Sequence, residues 1–231
     1  MKVSVVMPCY NEENFLEAIV LKVTSQPLWE KMELELIIVD DRSKDKSPEV
    51  MDRLAKADPR IKTARHEVNQ GKGAAVRTGF GMVTGDVVIV QDADLEYDPC
   101  EYPQLLEPIL QNKADVVYGS RYMMGHEHRV MYFWHTVANQ ILTLIFNMMS
   151  NMKFTDMETC FKVFKTDIIR QISLVENRFG FDPEITAKVC KLKVPMYEVS
   201  ISYHGRTYEE GKKIGLKDAF RAVYCMVKYN L

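Results

Sequence analysis

The first half of the chain alternates between short apolar runs and stretches in which apolar residues recur at helical spacing. The runs at 3–7, 34–39 and 86–90 are rich in Val, Ile and Leu and are followed within two residues by Pro or Asp, so they predict buried strands. Strands that alternate with helices indicate a doubly wound, mostly parallel sheet, which binds ligands at the carboxyl ends of its strands. Further strands are predicted at 61–65 and 115–119, and helices from residue 11 and over 47–57, 74–82, 101–112 and 130–149.

After residue 150, predicted strands and helices no longer alternate regularly. A helix is predicted near 167–173, another opens at 179–185, a strand covers 196–203, and 219–229 form a final amphipathic helix. A chain of 231 residues with 47% hydrophobic and 27% charged residues is of ordinary globular composition. We therefore expect one domain over 1–231, in which the last third extends the sheet formed by the first two.

Charge and cysteine content exclude several classes of function. The formal net charge of −2 gives no reason to expect binding to nucleic acid. The five cysteines are scattered without a CxxC pair, which disfavours a disulfide framework or a structural zinc site and favours a reducing compartment. No stretch reaches the roughly 18 consecutive apolar residues typical of a spanning helix, and the N-terminus has no signal-peptide layout.

The strand at 86–90 is followed by three carboxylates, Asp92, Asp94 and Glu96. In an extended chain, residues two apart point to the same side, so these carboxylates can converge. Clustered carboxylates raise one another's pKa unless a cation lies between them, and oxygen ligands suit Mg²⁺ or Mn²⁺. The sequence therefore predicts a divalent metal site that binds substrate phosphates; a solvated acidic loop is the alternative.

Six motifs resemble, in order, those of the family 2 glycosyltransferases of GT-A fold, and within them the dolichyl- or polyprenyl-phosphate mannosyl- and glucosyltransferases. The GT-A fold is a Rossmann-like, doubly wound α/β fold. A lone Asp-x-Asp motif is weak evidence for a resemblance, whereas six motifs in the same order are strong evidence. They lie at 8–12 (Pro-Cys-Tyr-Asn-Glu), 38–41 (Ile-Val-Asp-Asp), 69–75 (Asn-Gln-Gly-Lys-Gly-Ala-Ala), 92–94 (Asp-Ala-Asp), 119–121 (Gly-Ser-Arg) and 206–212 (Arg-Thr-Tyr-Glu-Glu-Gly-Lys).

The resemblance implies inverting transfer of a hexose, with mannose favoured, from a nucleotide sugar such as GDP-mannose to a polyprenyl or dolichyl phosphate. Residues 1–120 would bind the nucleotide sugar and residues 121–231 the acceptor. The implied base and ribose pocket is Pro8, Tyr10, Glu12, Val39 and Asp41, and the implied metal ligands for Mg²⁺ or Mn²⁺ are Asp92, Asp94 and Glu96. Further donor contacts are Lys72, Ala93, Arg206 and Lys212, the acceptor-side cations are Arg121, Arg206 and Lys212, and the catalytic set is Asp92, Asp94, Arg121 and Arg206.

Several alternatives stay open. UDP-glucose or another UDP-sugar is an alternative donor, and a saccharide hydroxyl is an alternative acceptor. A hydroxyl acceptor needs a carboxylate base, which Asp156 or Glu158 could supply, although both could equally serve structural roles. Lys72 is as consistent with an exposed loop lysine as with a phosphate contact. A nucleotidyltransferase and a non-catalytic scaffold are disfavoured, and a dinucleotide dehydrogenase lacks its G-x-G-x-x-G motif after the first strand.

The implied lipid acceptor changes the expected location. The stretches 137–149 and 219–229 can form amphipathic helices that lie on a membrane surface, although such helices more often pack on the protein core. We expect a cytoplasmic protein that associates peripherally with the cytoplasmic face of a membrane.

Overall fold

The computed structural model describes residues 1–125, 129–130, 132–205 and 216–231, with the side chains of 216–218 left out of the description. Its strands form a seven-stranded sheet in the order β3-β2-β1-β4-β6-β5-β7. The strands are β1 (Lys2–Cys9), β2 (Glu33–Asp40), β3 (Ile61–Arg65), β4 (Val87–Val90), β5 (Val116–Ser120), β6 (Lys162–Lys165) and β7 (Met196–Ser200).

Helices flank this sheet, so the predicted α/β architecture is confirmed. Within the described ranges, the short 3₁₀ segments Pro27–Glu30 and Pro99–Glu101 join longer elements. The α-helices are α1 (Leu16–Thr24), α2 (Ser47–Ala57), α3 (Lys72–Met82), α4 (Tyr102–Leu110), α5 (Phe133–Ser150), α6 (Thr166–Arg170), α7 (Phe181–Leu192) and α8 (Leu216–Asn230). No helix in the described ranges combines the length and apolar character needed to cross a membrane.

The direction of the strands decides where the site can form. Neighbouring strands are parallel, except that β6 runs antiparallel to both β4 and β5. The carboxyl ends of β1, β2, β4, β5 and β7 therefore lie at one edge of the sheet. Because β6 is reversed, the residues that precede Lys162 enter the same edge.

Strand β6 is the main element that the sequence pattern missed. Its residues, Lys162-Val-Phe-Lys165, are few and begin and end with lysine, which is not typical of a central strand. Lys162 is nevertheless fully buried, because its ammonium group lies 2.5 Å from the carboxylate of Asp182 and also donates to the carbonyl of Thr159. A partner 20 residues away thus allows a lysine to start a core strand.

Candidate active site

A cavity of about 1060 Å³ opens at the carboxyl edge of the sheet. Its wall contains predicted site residues from three strand ends, with Pro8 in the last two residues of β1, Asp41 after β2 and Asp92 after β4. Arg121, which follows β5, lines the same cavity. The order of the strands brings these residues together although more than 100 positions separate them in sequence.

The predicted base and ribose side is built around Asp41. Its carboxylate accepts hydrogen bonds from the backbone N–H groups of Gln70 and Gly71, at 2.9 and 2.6 Å, and lies 2.7 Å from Nδ1 of His66. Asp41 therefore fixes the start of the glycine loop at 69–73 as well as lining the cavity. Of the other predicted residues on this side, Pro8, Tyr10 and Glu12 line the cavity.

Val39, the remaining residue predicted for this side, does not line the cavity. Its side chain is fully buried within β2 and is not part of the cavity wall. Val39 lies inside β2, where it pairs with Pro8 and Ala64, and every residue of this strand after Glu33 is buried. The pocket begins two residues later, where the chain leaves the sheet at Asp41.

Lys72 lies inside the cavity rather than on an exposed loop. Its ammonium nitrogen is 2.7 and 2.9 Å from the two carboxylate oxygens of Asp92. Burial disfavours the charge of Lys72, but Asp92, Cys160 and Asp182 together outweigh it and hold the pKa of Lys72 well above its ordinary value. Lys72 thus neutralises one of the three predicted metal ligands.

Asp94 and Glu96 have different surroundings. Asp94 is 6% exposed, and its Oδ1 accepts a hydrogen bond from the backbone N–H of Glu96 at 3.0 Å. The Glu96 carboxylate instead accepts from the hydroxyl of Tyr203 at 2.9 Å. Within the described part of the chain, no three acidic, histidine or cysteine side chains are grouped closely enough to hold a metal ion.

Two carboxylates are nonetheless a suitable donor set for the predicted ion. Asp92, Ala93 and Asp94 all line the cavity. Proteins commonly bind Mg²⁺ through one or two carboxylates together with substrate phosphates and water. Asp92 and Asp94 therefore fit Mg²⁺ or Mn²⁺, and Glu96 lines the same cavity with its carboxylate bonded to the hydroxyl of Tyr203.

The predicted acceptor-side cation, Arg121, is bound to Asp156. Its Nε and Nη2 donate to the two carboxylate oxygens of Asp156 at 2.6 and 2.8 Å, and Asp156 is fully buried. The guanidinium group also stacks over the ring of Tyr203, 5.2 Å from its centre. Asp156 is therefore a structural partner of Arg121, and this bidentate pair fixes the orientation of the arginine. The other two predicted cations, Arg206 and Lys212, lie outside the described residues.

The model of the protein family Glycosyl transferase family 2 matches residues 4–173, which is more than half of the chain. The chain belongs to this family. It is 28% identical over 237 residues to the dolichol-phosphate mannosyltransferase of Pyrococcus furiosus, an alignment that covers 100% of this chain and 65% of the relative. It is 30% identical over 225 residues to the undecaprenyl-phosphate mannosyltransferase of Micrococcus luteus, covering 93% of this chain and 88% of that protein.

Solved structures of glycosyltransferases share the fold of this family 2 member. The glucosyl-3-phosphoglycerate synthase of Mycobacterium tuberculosis, in complex with Mn²⁺, uridine diphosphate and phosphoglyceric acid, is similar with a TM-score of 0.74. The alignment covers 99% of this chain and 78% of that structure, at 17% sequence identity. The predicted GT-A fold is thereby confirmed.

The wall of this family 2 site also contains two charged residues that the sequence did not settle. Arg178 was not singled out at all, and Glu158 was left with two interpretations. Arg178, in the segment before α7, lines the cavity although no motif marks it. Glu158 also lines the cavity, and its Oε1 is buried without a hydrogen-bond partner in the described structure. Burial, followed by the negative charge of Asp182, raises the pKa of Glu158 to about 8; Lys162 and Arg121 oppose the shift and Asp156 adds to it.

Glu158→Gln is expected to stabilise the protein at pH 8 and to have little effect at pH 5. The wild-type carboxyl ionises in the unfolded chain near 4.5 but resists ionisation in the folded state up to about 8, so stability falls between these values. The uncharged amide does not titrate. Thermal unfolding at both pH values should show a difference that grows by at least about 1.4 kcal/mol, the equivalent of one pKa unit. A difference that does not change with pH would contradict this account.

Proposed function

We propose that this protein is an inverting glycosyltransferase that transfers a hexose from a nucleotide sugar to a polyprenyl phosphate and requires a divalent metal ion. The observation that carries the proposal is the single cavity that joins the Asp92 and Asp94 carboxylates to Arg121 and to apolar residues of α5, including Trp134 and Leu142. A donor diphosphate, a sugar and a lipid phosphate can be accommodated in this order along the cavity, from the two carboxylates to Arg121 and the apolar residues. The two mannosyltransferase relatives support mannose as the sugar. The proposed donor is GDP-mannose, with UDP-glucose or another UDP-sugar as the alternative.

Different residues of the cavity serve the acceptor phosphate and the departing diphosphate. In the reaction, the bond between the anomeric carbon and the nucleoside diphosphate breaks, and a phosphate oxygen of the acceptor forms the new bond to that carbon. A phosphate monoester is already anionic near neutral pH, its second pKa being about 6, so the nucleophile requires no strong base. Arg121 orients this phosphate, and Tyr203 and Asp156 hold Arg121 in place. A metal ion bound by Asp92 and Asp94 would neutralise the charge that develops on the departing diphosphate.

The anionic acceptor is favoured over a saccharide hydroxyl by the state of the two candidate bases. Asp156 is occupied by two hydrogen bonds from Arg121. The raised pKa of Glu158 keeps most of its carboxyl protonated at pH 7, a form that cannot accept a proton. Neither carboxyl is therefore well prepared to deprotonate a hydroxyl at neutral pH.

The test compares a lipid phosphate with acceptors that lack the phosphate. Purified protein with Mn²⁺ is given GDP-mannose, UDP-glucose or UDP-N-acetylglucosamine together with a short polyprenyl phosphate, the corresponding polyprenyl alcohol, or a free saccharide. We expect glycolipid from one donor and the phosphate only. Product from the alcohol or the saccharide would replace the proposed acceptor, and failure to bind any donor would contradict the enzymatic proposal as a whole.

We also infer that the outer faces of α5 and α8 rest on the membrane that contains the acceptor. Both helices expose large apolar side chains, among them Phe133 at 68% and Phe220 at 78%. Other exposed apolar residues of these helices are Trp134, Ile141, Leu144, Met148, Tyr224 and Val227. Trp134 is part of the cavity wall as well, so this apolar surface is continuous with the entrance of the site. A location at the cytoplasmic face agrees with the use of a nucleotide sugar.

Changing Phe133 and Phe220 together to serine should weaken binding to vesicles by at least about 10-fold. Burying each phenylalanine in an apolar phase contributes about 1.5–3 kcal/mol. The measurement is co-flotation with vesicles of phosphatidylcholine and phosphatidylglycerol. Leu21→Ser on α1, which removes a side chain that is 56% exposed, is the matched control and should float like the wild type. Equal flotation of all three proteins would contradict the membrane-facing assignment.

A further inference from the structure

The cavity is poor in available positive charge. Its described wall contains the carboxyl groups of Asp41, Asp92, Asp94, Asp182, Glu12, Glu96 and Glu158. The cations in the same wall are Lys72, Arg121, Arg129 and Arg178. The diphosphate of a nucleotide sugar carries negative charge and would be repelled by such a wall unless cations contact it directly.

Most of these cations are already engaged. Lys72 is held 2.7 Å from Asp92, and Arg121 is held by Asp156. Arg129 donates to the carbonyl of Gly205 at 3.1 Å. Arg178 is exposed, and its guanidinium group makes no hydrogen bond or ion pair with any residue that the structure describes. The guanidinium group of Arg178 can therefore contact a ligand without first breaking a hydrogen bond or ion pair to a described residue.

The backbone around Arg178 is fixed directly above the glycine loop. The N–H of Ala74 donates to the carbonyl of Asn177 at 3.0 Å. Gly71 has a φ of +105°, and a Cβ atom there would lie 2.5 Å from the Asn177 carbonyl oxygen and 2.8 Å from Cγ of Arg178. A Cβ on Gly73 would lie 2.5 Å from the carbonyl oxygen of Glu176. Both glycines are thus required for the close approach that brings Arg178 to the loop.

A second set of contacts holds this segment from the other side. The carboxylate of Glu176 accepts hydrogen bonds from the guanidinium group of Arg221, at 2.7 to 3.1 Å, and from the hydroxyl of Tyr229 at 2.9 Å. Both partners belong to α8. The position of Arg178 is therefore set by the glycine loop below it and by α8 behind it, whereas its own side chain remains available.

We propose that Arg178 binds the diphosphate of the nucleotide-sugar donor beside the glycine loop, supplying the positive charge that Lys72 directs to Asp92. The proposal rests on the function proposed above and adds a donor-binding residue to it. An arginine suits this role because its planar group contacts phosphate oxygens in a forked geometry.

The test separates phosphate binding from nucleoside binding. Isothermal titration with UDP and GDP, and with uridine and guanosine, is done in EDTA and again with Mn²⁺ for the wild type, Arg178→Ala and Arg178→Lys. We expect Arg178→Ala to weaken binding of the preferred nucleoside diphosphate by about 10-fold, the size typical of one charge-assisted hydrogen bond. Nucleoside binding should be unchanged, and lysine should restore part of the loss. Arg170→Ala, which removes an exposed arginine from α6 outside this cavity, should behave as the wild type.

The possible outcomes are distinguishable. Unchanged diphosphate binding in Arg178→Ala, or an equal loss for diphosphate and nucleoside, would overturn the role of Arg178 alone. If the wild type binds neither nucleoside diphosphate, both this role and the proposed function fail. If the 10-fold effect is found but no sugar reaches a lipid phosphate, the donor site stands and only the proposed acceptor is wrong. Should the alanine variant unfold, Arg178→Gln, which retains most of the side-chain length, gives the same comparison.

Discussion

Replacing Asp94 by asparagine should lower the rate of sugar transfer by about a thousandfold or more without unfolding the protein. A metal ion that offsets charge on a departing diphosphate contributes several kcal/mol to transition-state stabilisation, and about 4 kcal/mol corresponds to this loss of rate. Asparagine keeps an oxygen that can accept the hydrogen bond from the backbone N–H of Glu96, which the aspartate accepts at 3.0 Å. The substitution therefore removes the negative charge of Asp94 and keeps the local turn intact.

The measurement is initial rate at saturating donor and Mn²⁺, with thermal unfolding of the same samples. Asp52→Asn, which removes one carboxylate from an exposed position on α2, is the matched control and should retain the wild-type rate. A rate within tenfold of wild type for Asp94→Asn would contradict a role for this carboxylate in metal binding.

Replacing Asp156 by asparagine should destabilise the protein by about 3 kcal/mol, because it leaves the guanidinium group of Arg121 in a largely buried site without its counter-charge. Arg121 has only 12% of its side chain exposed, and Asp156 has none. For a chain of this size the loss corresponds to a fall in melting temperature of about 6–12 °C. Thermal unfolding at neutral pH measures it directly.

A double variant separates the structural and functional roles of this pair. Replacing Arg121 by methionine and Asp156 by leucine substitutes an apolar pair for the ion pair, which commonly recovers the lost stability. We expect a melting temperature near that of the wild type, together with a KM for the lipid phosphate at least about 10-fold higher, because a charge-assisted hydrogen bond to the acceptor is gone. A normal acceptor KM in the double variant would show that Arg121 serves only the fold.

The sequence pattern was sufficient to predict most of the fold because the strands of the first half are continuous apolar runs. Such runs belong to strands that are buried on both faces, and Ser47-Pro48 marked the start of α2 at its observed residue. Strand β6 could not be found this way. Its burial depends on the ion pair between Lys162 and Asp182, and no local pattern reveals a partner 20 residues away.

The candidate site was predictable to a similar degree and for a related reason. The rule that parallel strands present their carboxyl ends at one edge is sufficient to bring Asp41, Asp92 and Arg121 together. The partners of these residues depend on tertiary contacts across long separations, such as the 35 residues between Arg121 and Asp156. Arg178 was missed because it precedes a helix without any motif of its own, and only its contact with the glycine loop marks it.

The most direct test of the central claim is the mass of the lipid product formed by the wild-type protein from a short polyprenyl phosphate and GDP-mannose in the presence of Mn²⁺. The account predicts a product heavier than the acceptor by one hexose residue, which disappears when EDTA is added and is not formed by Asp94→Asn. If GDP-mannose gives none, UDP-glucose is used in the same measurement as the alternative donor. Product that persists in EDTA, or nucleotide-sugar cleavage that yields only free sugar while the lipid phosphate is unchanged with both donors, would contradict it.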